Sequence, residues 1–555
     1  MFNLAMNRNL VRDLRIGFPA LSRHRMLSVG QFFLLLMFLA CSPIARANDI
    51  YISQSGSGSG SSCSGPLSAA FFNNSSNWGT AAGQIGPGTT VHLCGTFTGA
   101  ANSVMLTFRG NGTSSSPITV LFESGAQLNA PYWSASGAIN MVGGSNLVVD
   151  GGANGVIQNT ANGDLLANRQ ITSLIYALNC NSCTIRNLKL ANAYVAVRNQ
   201  STLGGAMTQM TAVTFSGSNW TISGNTIHDC GWCLLDPYGN GDANINIHHN
   251  DIYNWDHGFT FATTGANAGS NLLFHDNKLH DNLNFETQGC MYHLDGLHFF
   301  GTSGSSMSGI YVYNNYFYGA LSTCSTGFIF MEGGSGTPSH ASNTYFWNNV
   351  FDASGADGMV SNGWVGIFSG EKGVTQFIQN TFIYSNAADN TNCYNIGSVN
   401  NLTFQGNVVN GCNIGVNLGS LTNTPASQID YNFYGGACAS SNNCFVYNQS
   451  FTGSFSAWKS KSGFDAHGKT SSYSAALLNS DGSPQSGSPV RSSSLNLSPA
   501  AIANMLSLNS DTTRGGARTP VTRPLSALWD MGAYQYGSAS VSLPAAPTGL
   551  TASVQ

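Results

Sequence analysis

From Thr221 to Val409 the chain repeats one short pattern: apolar, polar, any residue, Asn, any residue, apolar. The first copies are Thr221-Ile222-Ser223-Gly224-Asn225-Thr226-Ile227, Ile247-His248-His249-Asn250-Asp251-Ile252 and Phe274-His275-Asp276-Asn277-Lys278-Leu279. Four more are centred on Asn315, Asn349, Asn380 and Asn407, and successive asparagines lie 25, 27, 38, 34, 31 and 27 residues apart. Apolar residues around each Asn alternate with polar ones, which is the period of a strand and not of a helix. A repeat of about 25 residues, with insertions in some copies, predicts a solenoid in which each coil adds one rung. A buried Asn at the same place in every coil finds amide partners only in the coils above and below. The pattern therefore predicts a stacked amide ladder at a bend between two strands, in an all-β parallel β-helix.

Composition supports a packed core over a disordered chain. Charged residues make up only 8%, but 42% of residues are hydrophobic, 11% are aromatic, and Gly occurs 65 times. A net charge of −4 with 20 Lys plus Arg excludes the basic footprint of a nucleic-acid binder. Five arginines between Arg8 and Arg25, the apolar run Phe32 to Cys41 and then Ala45-Arg46-Ala47 read as a secretory signal over residues 1–47. That run is too short for a stable transmembrane anchor, which needs about 20 residues. Residues outside the signal hold twelve of the thirteen cysteines, so disulfides are expected in an exported monomer. Cys63 with Cys94, Cys290 with Cys324, Cys393 with Cys412, and Cys438 with Cys444 are spaced as local staples. Cys180-x-x-Cys183 and Cys230-x-x-Cys233 have the spacing of zinc half-sites, a reading that an oxidising compartment opposes.

The repeat, the opening Tyr51-Ile52-Ser53 with Pro87-Gly88-Thr89-Thr90-Val91-His92-Leu93, and the ending Trp529-Asp530-Met531-Gly532-Ala533-Tyr534 resemble the pectate-lyase-like superfamily. The resemblance covers residues 48 to about 536. It implies a right-handed parallel β-helix with a closing strand near Trp529, and an extracellular polysaccharide as partner. It leaves the chemistry open, because the superfamily includes lyases, hydrolases, epimerases and non-catalytic members. Residues 537–555 read as a linker and the first strand of a fibronectin type III-like segment, on Pro544-Ala545-Ala546-Pro547-Thr548-Gly549-Leu550.

Outward residues at equivalent places form columns. Aligned on the Asn, one column reads Ser223, His248, His275, Tyr313, Trp347; the next Thr226, Asp251, Lys278, Tyr316; the third His228, Tyr253, His280, Tyr318, Asp352. Such columns are a candidate polysaccharide surface, since aromatic faces suit the apolar faces of sugar rings, although outward rings also support neighbouring strands by stacking. Asp256, His257, Asp295, His298 and Glu332 are candidate proton-transfer groups for cleaving a glycosidic bond, and Lys278 is the base if cleavage is by elimination. Asp236 and Asp251 are candidate Ca²⁺ ligands for that second chemistry. Asp295-Gly-x-His298 resembles an active-site element of β-helix polysaccharide hydrolases, but the companion motifs of that family are absent. The expected function is a secreted polysaccharide lyase or glycoside hydrolase, and the alternative is a non-catalytic glycan-binding surface protein.

Overall fold

Each coil lays one strand in each of three parallel rows, and the computed structural model traces them through residues 49–161, 170–193, 210–239, 241–265, 267–282, 294–301, 304–333, 341–356, 363–368, 372–385, 392–439, 443–496, 509–510, 521–524 and 527–537. The expected signal, residues 1–47, lies outside the described residues, as does all but the first residue of the 537–555 tail. The first row runs from Asp49–Ser53 to Ile429–Asp430, the strands preceding each Asn lying in it. The second begins one residue after each Asn, pairing Thr226 with Asp251, Asp251 with Lys278, and Lys278 with Tyr316. The third carries strands such as Leu294–Gly301 and Ser325–Gly333. Thr226–Gly239 and Asp251–Thr263 each run through both the second and third rows. The chain is thus an all-β parallel β-helix.

The repeat forces both the bend and the ladder. The residue before each ladder Asn adopts the left-handed backbone conformation, as at Gly224, His249, Asp276, Asn314, Asn348, Gln379, Gly406 and Tyr431. Asn, Asp and Gly tolerate that conformation best, so doublets such as Asn314-Asn315 serve first the bend and then the ladder. The amide nitrogen of Asn225 donates to Asn250 Oδ1 at 2.9 Å, and the relay continues through Asn277, Asn315, Asn349, Asn380 and Asn407 at 2.9 to 3.2 Å. Each amide also donates to a backbone carbonyl of the previous coil, as from Asn315 to Phe274. Two rungs go beyond the seven expected: Asn407 donates to Asn432 and Asn432 to Asp465. Asp465 ends the relay as an acceptor, taking further bonds from the Tyr434 hydroxyl and the Trp458 indole.

The apolar residues beside the ladder fill one continuous core, in which Phe346 stacks on Phe377 with ring centroids 4.6 Å apart. The ends of a solenoid expose that core unless capped. At one end Phe72 of the short helix Ala69–Asn73 packs edge-on against Trp78 and Phe108. At the other, helix Phe455–Ser462 sets Trp458 on Phe445; Ser454 caps its start and Gly463, in the left-handed conformation, ends it.

Disulfides join Cys63 to Cys94, Cys393 to Cys412 and Cys438 to Cys444, as the spacings suggest. Cys324 is disulfide-bonded, while Cys290 lies outside the described residues. The disfavoured zinc half-sites are not formed: Cys180 bonds Cys183 and Cys230 bonds Cys233, so neither pair offers thiolates. The expected closing strand is corrected as well. Residues 527–537 form a strap, whose Ala533 N–H donates to Thr381 Oγ1 and whose Gly532 N–H donates to the Gly406 carbonyl. Arg523, fully buried, fixes the strap by donating to Asn348 Oδ1 and to the carbonyls of Asp530 and Gly532. No helix among the described residues is long and apolar enough to cross a membrane.

Candidate functional site

The strap decides which of the outward columns remain available. It covers Tyr313 and Trp347, which are buried in a cluster with Ile378 and Trp529, and it covers Tyr316, which packs with Val350, Ala533 and Tyr534. These three side chains are corrected from surface to interior positions, because residues far ahead in sequence fold back over them. One coil earlier the same columns are open: His248 and His275 stack at 5.0 Å, and His275 stacks on Tyr313 at 4.6 Å. Partial burial, reinforced by the neighbouring His275 and His249, pulls the His248 pKa down to about 4. Lys278 and Asp251 are half-buried neighbours in the second column, and Asp251 Oδ1 lies 3.0 Å from His280 Nε2.

The third column is an uninterrupted stack of rings. His228, Tyr253, His280 and Tyr318 follow one another at centroid distances of 4.6, 5.0 and 4.7 Å, with interplanar angles of 18° or less. Each ring stands just before the next bend, where Asp229, Asn254, Asp281 and Gly319 take the left-handed conformation. Asp229 and Asp281 each turn a carboxylate onto Nδ1 of the preceding histidine. Burial opposes charging His280, but Asp251 and Asp281 outweigh it and raise its pKa. Because the ring faces are turned on one another, the stack presents ring edges and polar atoms to a ligand. The expectation that these faces would meet sugar rings is corrected on that point.

After Tyr318 the column continues without rings as Asp352, Ile383 and Asn410, and here a cleft of about 690 Å³ opens. Its floor is that column together with Asp281, and its far wall is the segment around Tyr473, Leu477 and Gln485. Two carboxylates therefore line it. Asp281 exposes 38% of its side chain while accepting from the Ala320 N–H at 2.6 Å. Asp352, 2% exposed, accepts from the Ser354 N–H at 3.0 Å. Burial and the charge of Asp352 raise the pKa of Tyr473 on the opposite wall, so that its hydroxyl stays protonated. No Lys, Arg or His is among the described residues that line the cleft. The sequence named Asp352 only as the end of a column and did not single out Asp281 or Tyr473. The wall becomes a wall only because residues 473–485 return to coils formed about a hundred residues earlier.

The candidate proton-transfer residues form a second group, in the third row. His257 pairs in register with Asp295, and Thr260 with His298. His257 Nδ1 lies 2.6 Å from Asp256 Oδ2, its Nε2 lies 3.4 Å from Asp295 Oδ2, and that oxygen is 3.6 Å from His298 Nδ1. Burial disfavours a charged imidazole at His257, but Asp256 and Asp295 outweigh it and raise its pKa to about 10. The four residues are buried, at 1%, 4%, 0% and 7% exposure for Asp256, His257, Asp295 and His298. They are brought together below the surface. Glu332 lies off their backbone register. The residue opposite Asp295 in the next coil is Gly327, while Glu332 pairs with Phe300, and its side chain is outside the described atoms. The expected Ca²⁺ pair is not formed either: Asp251 turns to His280, and Asp236, fully buried, lies beside Asp242 with its pKa raised well above the carboxylate range by burial and by that second carboxyl.

Fold and site together define a parallel β-helix with a ring-lined face that ends in an acidic cleft. No protein-family model matches this chain, and no curated protein does.

Proposed function

We propose that this protein is an extracellular carbohydrate-active β-helix of the pectate-lyase-like kind, which holds a polysaccharide along the ring column and hydrolyses it in the cleft. The observation that supports this reading is the continuity of one column: His228, Tyr253, His280 and Tyr318 lead coil by coil to Asp352 in the cleft. Coils spaced about 4.8 Å apart present polar ring edges at nearly the repeat of a sugar chain. Two carboxylates in one cleft supply the minimum for glycosidic hydrolysis, one protonating the leaving oxygen and the other activating water. The acidic lining, without described cations, favours a neutral polysaccharide over a uronate polymer, whose charges it repels. For the same reason hydrolysis is preferred to elimination through Lys278, which lies in a different column.

The test is to incubate the protein with neutral glycans, pectins and alginate, following binding, reducing ends and the ultraviolet absorbance of unsaturated products. Reducing ends from a neutral glycan, lost in Asp352→Asn while binding persists, support the proposal. Unsaturated product overturns the hydrolytic assignment and returns attention to Lys278. Binding without product identifies a glycan-binding surface protein, and absence of binding to every glycan removes the carbohydrate reading altogether.

A further inference from the structure

His257, Asp295 and His298 form a buried cluster across two successive coils. The separations from Asp295 Oδ2, 3.4 Å to His257 Nε2 and 3.6 Å to His298 Nδ1, are long for hydrogen bonds. They match another geometry. Two ligands about 2.1 Å from a tetrahedral cation lie about 3.4 Å apart, whereas neighbouring ligands of an octahedral one lie about 3.0 Å apart. One donor atom from each of the three residues falls within 4.8 Å of the other two. The contact of Asp256 with His257 Nδ1 at 2.6 Å turns Nε2 toward Asp295, which is the carboxylate–histidine arrangement that orients a metal-ligating imidazole.

We propose that His257, Asp295 and His298 bind one divalent transition-metal ion of the zinc type, which clips two successive coils together. Two imidazole nitrogens and one carboxylate oxygen suit such an ion better than Ca²⁺, which prefers six or more oxygens. His257 belongs to strand Asp251–Thr263 and the other two ligands to Leu294–Gly301. An ion there links two successive coils. The site stands independently of the cleft and of the glycan reading. Asp256 is a positioning residue.

The full chain without a histidine tag is stripped with chelator, dialysed, and titrated with Zn²⁺ alone while heat is recorded and bound metal is counted. The surface pair His248 and His249, whose Nδ1 atoms are 2.8 Å apart, is a second place for added zinc and is removed in a His248→Ala/His249→Ala control. One equivalent is expected in the wild type and in that control, with affinity reduced at least about 100-fold in His298→Ala and Asp295→Asn and about 10- to 100-fold in Asp256→Asn. Circular dichroism of the stripped variants identifies any that have lost the fold. Co²⁺ titration of the wild type needs no variant and is expected to give the visible absorption of a four-coordinate ion. Absence of stoichiometric binding to the wild type overturns the proposal. So does zinc that disappears in the His248→Ala/His249→Ala control, or persists unchanged in a folded His298→Ala protein.

Discussion

Asn277 and His280 stand three residues apart on one coil, and each begins from the same periodic signal, but the two columns they belong to differ in where their polar atoms go. In the ladder the side-chain amide of Asn277 donates to Asn315 and to the Ile247 carbonyl, while its oxygen accepts from Asn250. In the ring column the faces are taken up by neighbouring rings while edges and carboxylates remain at the surface. A repeated polar residue whose partners are all within the protein maintains the coil. One whose partners leave an accessible edge is a place for a ligand. Periodicity identifies both kinds of column and does not separate them; the accounting of hydrogen-bond partners does.

The largest effect is expected from breaking the ladder in its middle. Asn349 accepts from the backbone and side-chain N–H groups of Asn315 and donates to the Val312 carbonyl and Asn380 Oδ1. Asn349→Ala leaves buried groups on three coils without these partners, which is expected to cost about 3 to 5 kcal/mol. Denaturant unfolding checks this value. A loss below about 1 kcal/mol would show that water or rearranged amides replace the ladder, and the contrast between the columns would then fail.

The ladder was legible in the sequence because one residue type is forced at one place in every coil. Asn432 also fits the pattern, in Ile429-Asp430-Tyr431-Asn432-Phe433-Tyr434, 25 residues after Asn407. Asp465 does not fit it, since a last rung needs only to accept and a carboxylate then serves in place of an amide. The third column was legible for the same reason as the ladder. The burial of Tyr313, Tyr316 and Trp347 was not, nor was the cleft, because both depend on contacts such as that of Arg523 with Asn348, 175 residues away. A chain end folded over a repeat carries no period of its own. The adjacency of His257 and Asp295 is set by coil register, whereas Glu332 lies opposite Phe300, five residues along the strand from Asp295.

A second prediction sharpens the comparison at the point where the ladder ends in an ionisable group. Burial raises the Asp465 pKa from 3.8 to about 6 despite bonds from Trp458, Asn432 and Tyr434. Tyr434, pushed well above its ordinary range by burial and by Asp465, stays neutral throughout. The folded state therefore holds the Asp465 proton more tightly than the unfolded chain. The corresponding stability is fully present below about pH 4 and is lost as pH rises through about 6, an amount of about 3 kcal/mol. Asp465→Asn removes this dependence but leaves the nearby Asp430–His467 pair, at 2.7 Å, in both proteins. The difference in unfolding free energy between wild type and variant is expected to change by about that amount between pH 4 and 7. A constant difference would mean that Asp465 remains ionised throughout, held by its donors as the amides are held by theirs.

The smallest effects distinguish positions within the ring column. Tyr318 touches His280 on one side, packs edge-on against Tyr316 at 4.9 Å and lines the cleft, whereas His228 lies three coils away at the other end of the stack. Tyr318→Ala is expected to weaken glycan binding about tenfold, in line with the loss of one aromatic contact beside a desolvated pocket. His228→Ala is expected to change binding less than about threefold, because His228 is buried at 8% exposure and offers a ligand little contact. Dissociation constants for alanine variants at His228, Tyr253, His280 and Tyr318 then form a gradient toward the cleft. Equal losses at all four would instead show a chain bound along the whole column with no dominant subsite. Such a result would make the column, rather than the cleft, the main source of affinity, and it would place the ring stack closer to the ladder in kind: a run of equivalent positions, each contributing through its neighbours.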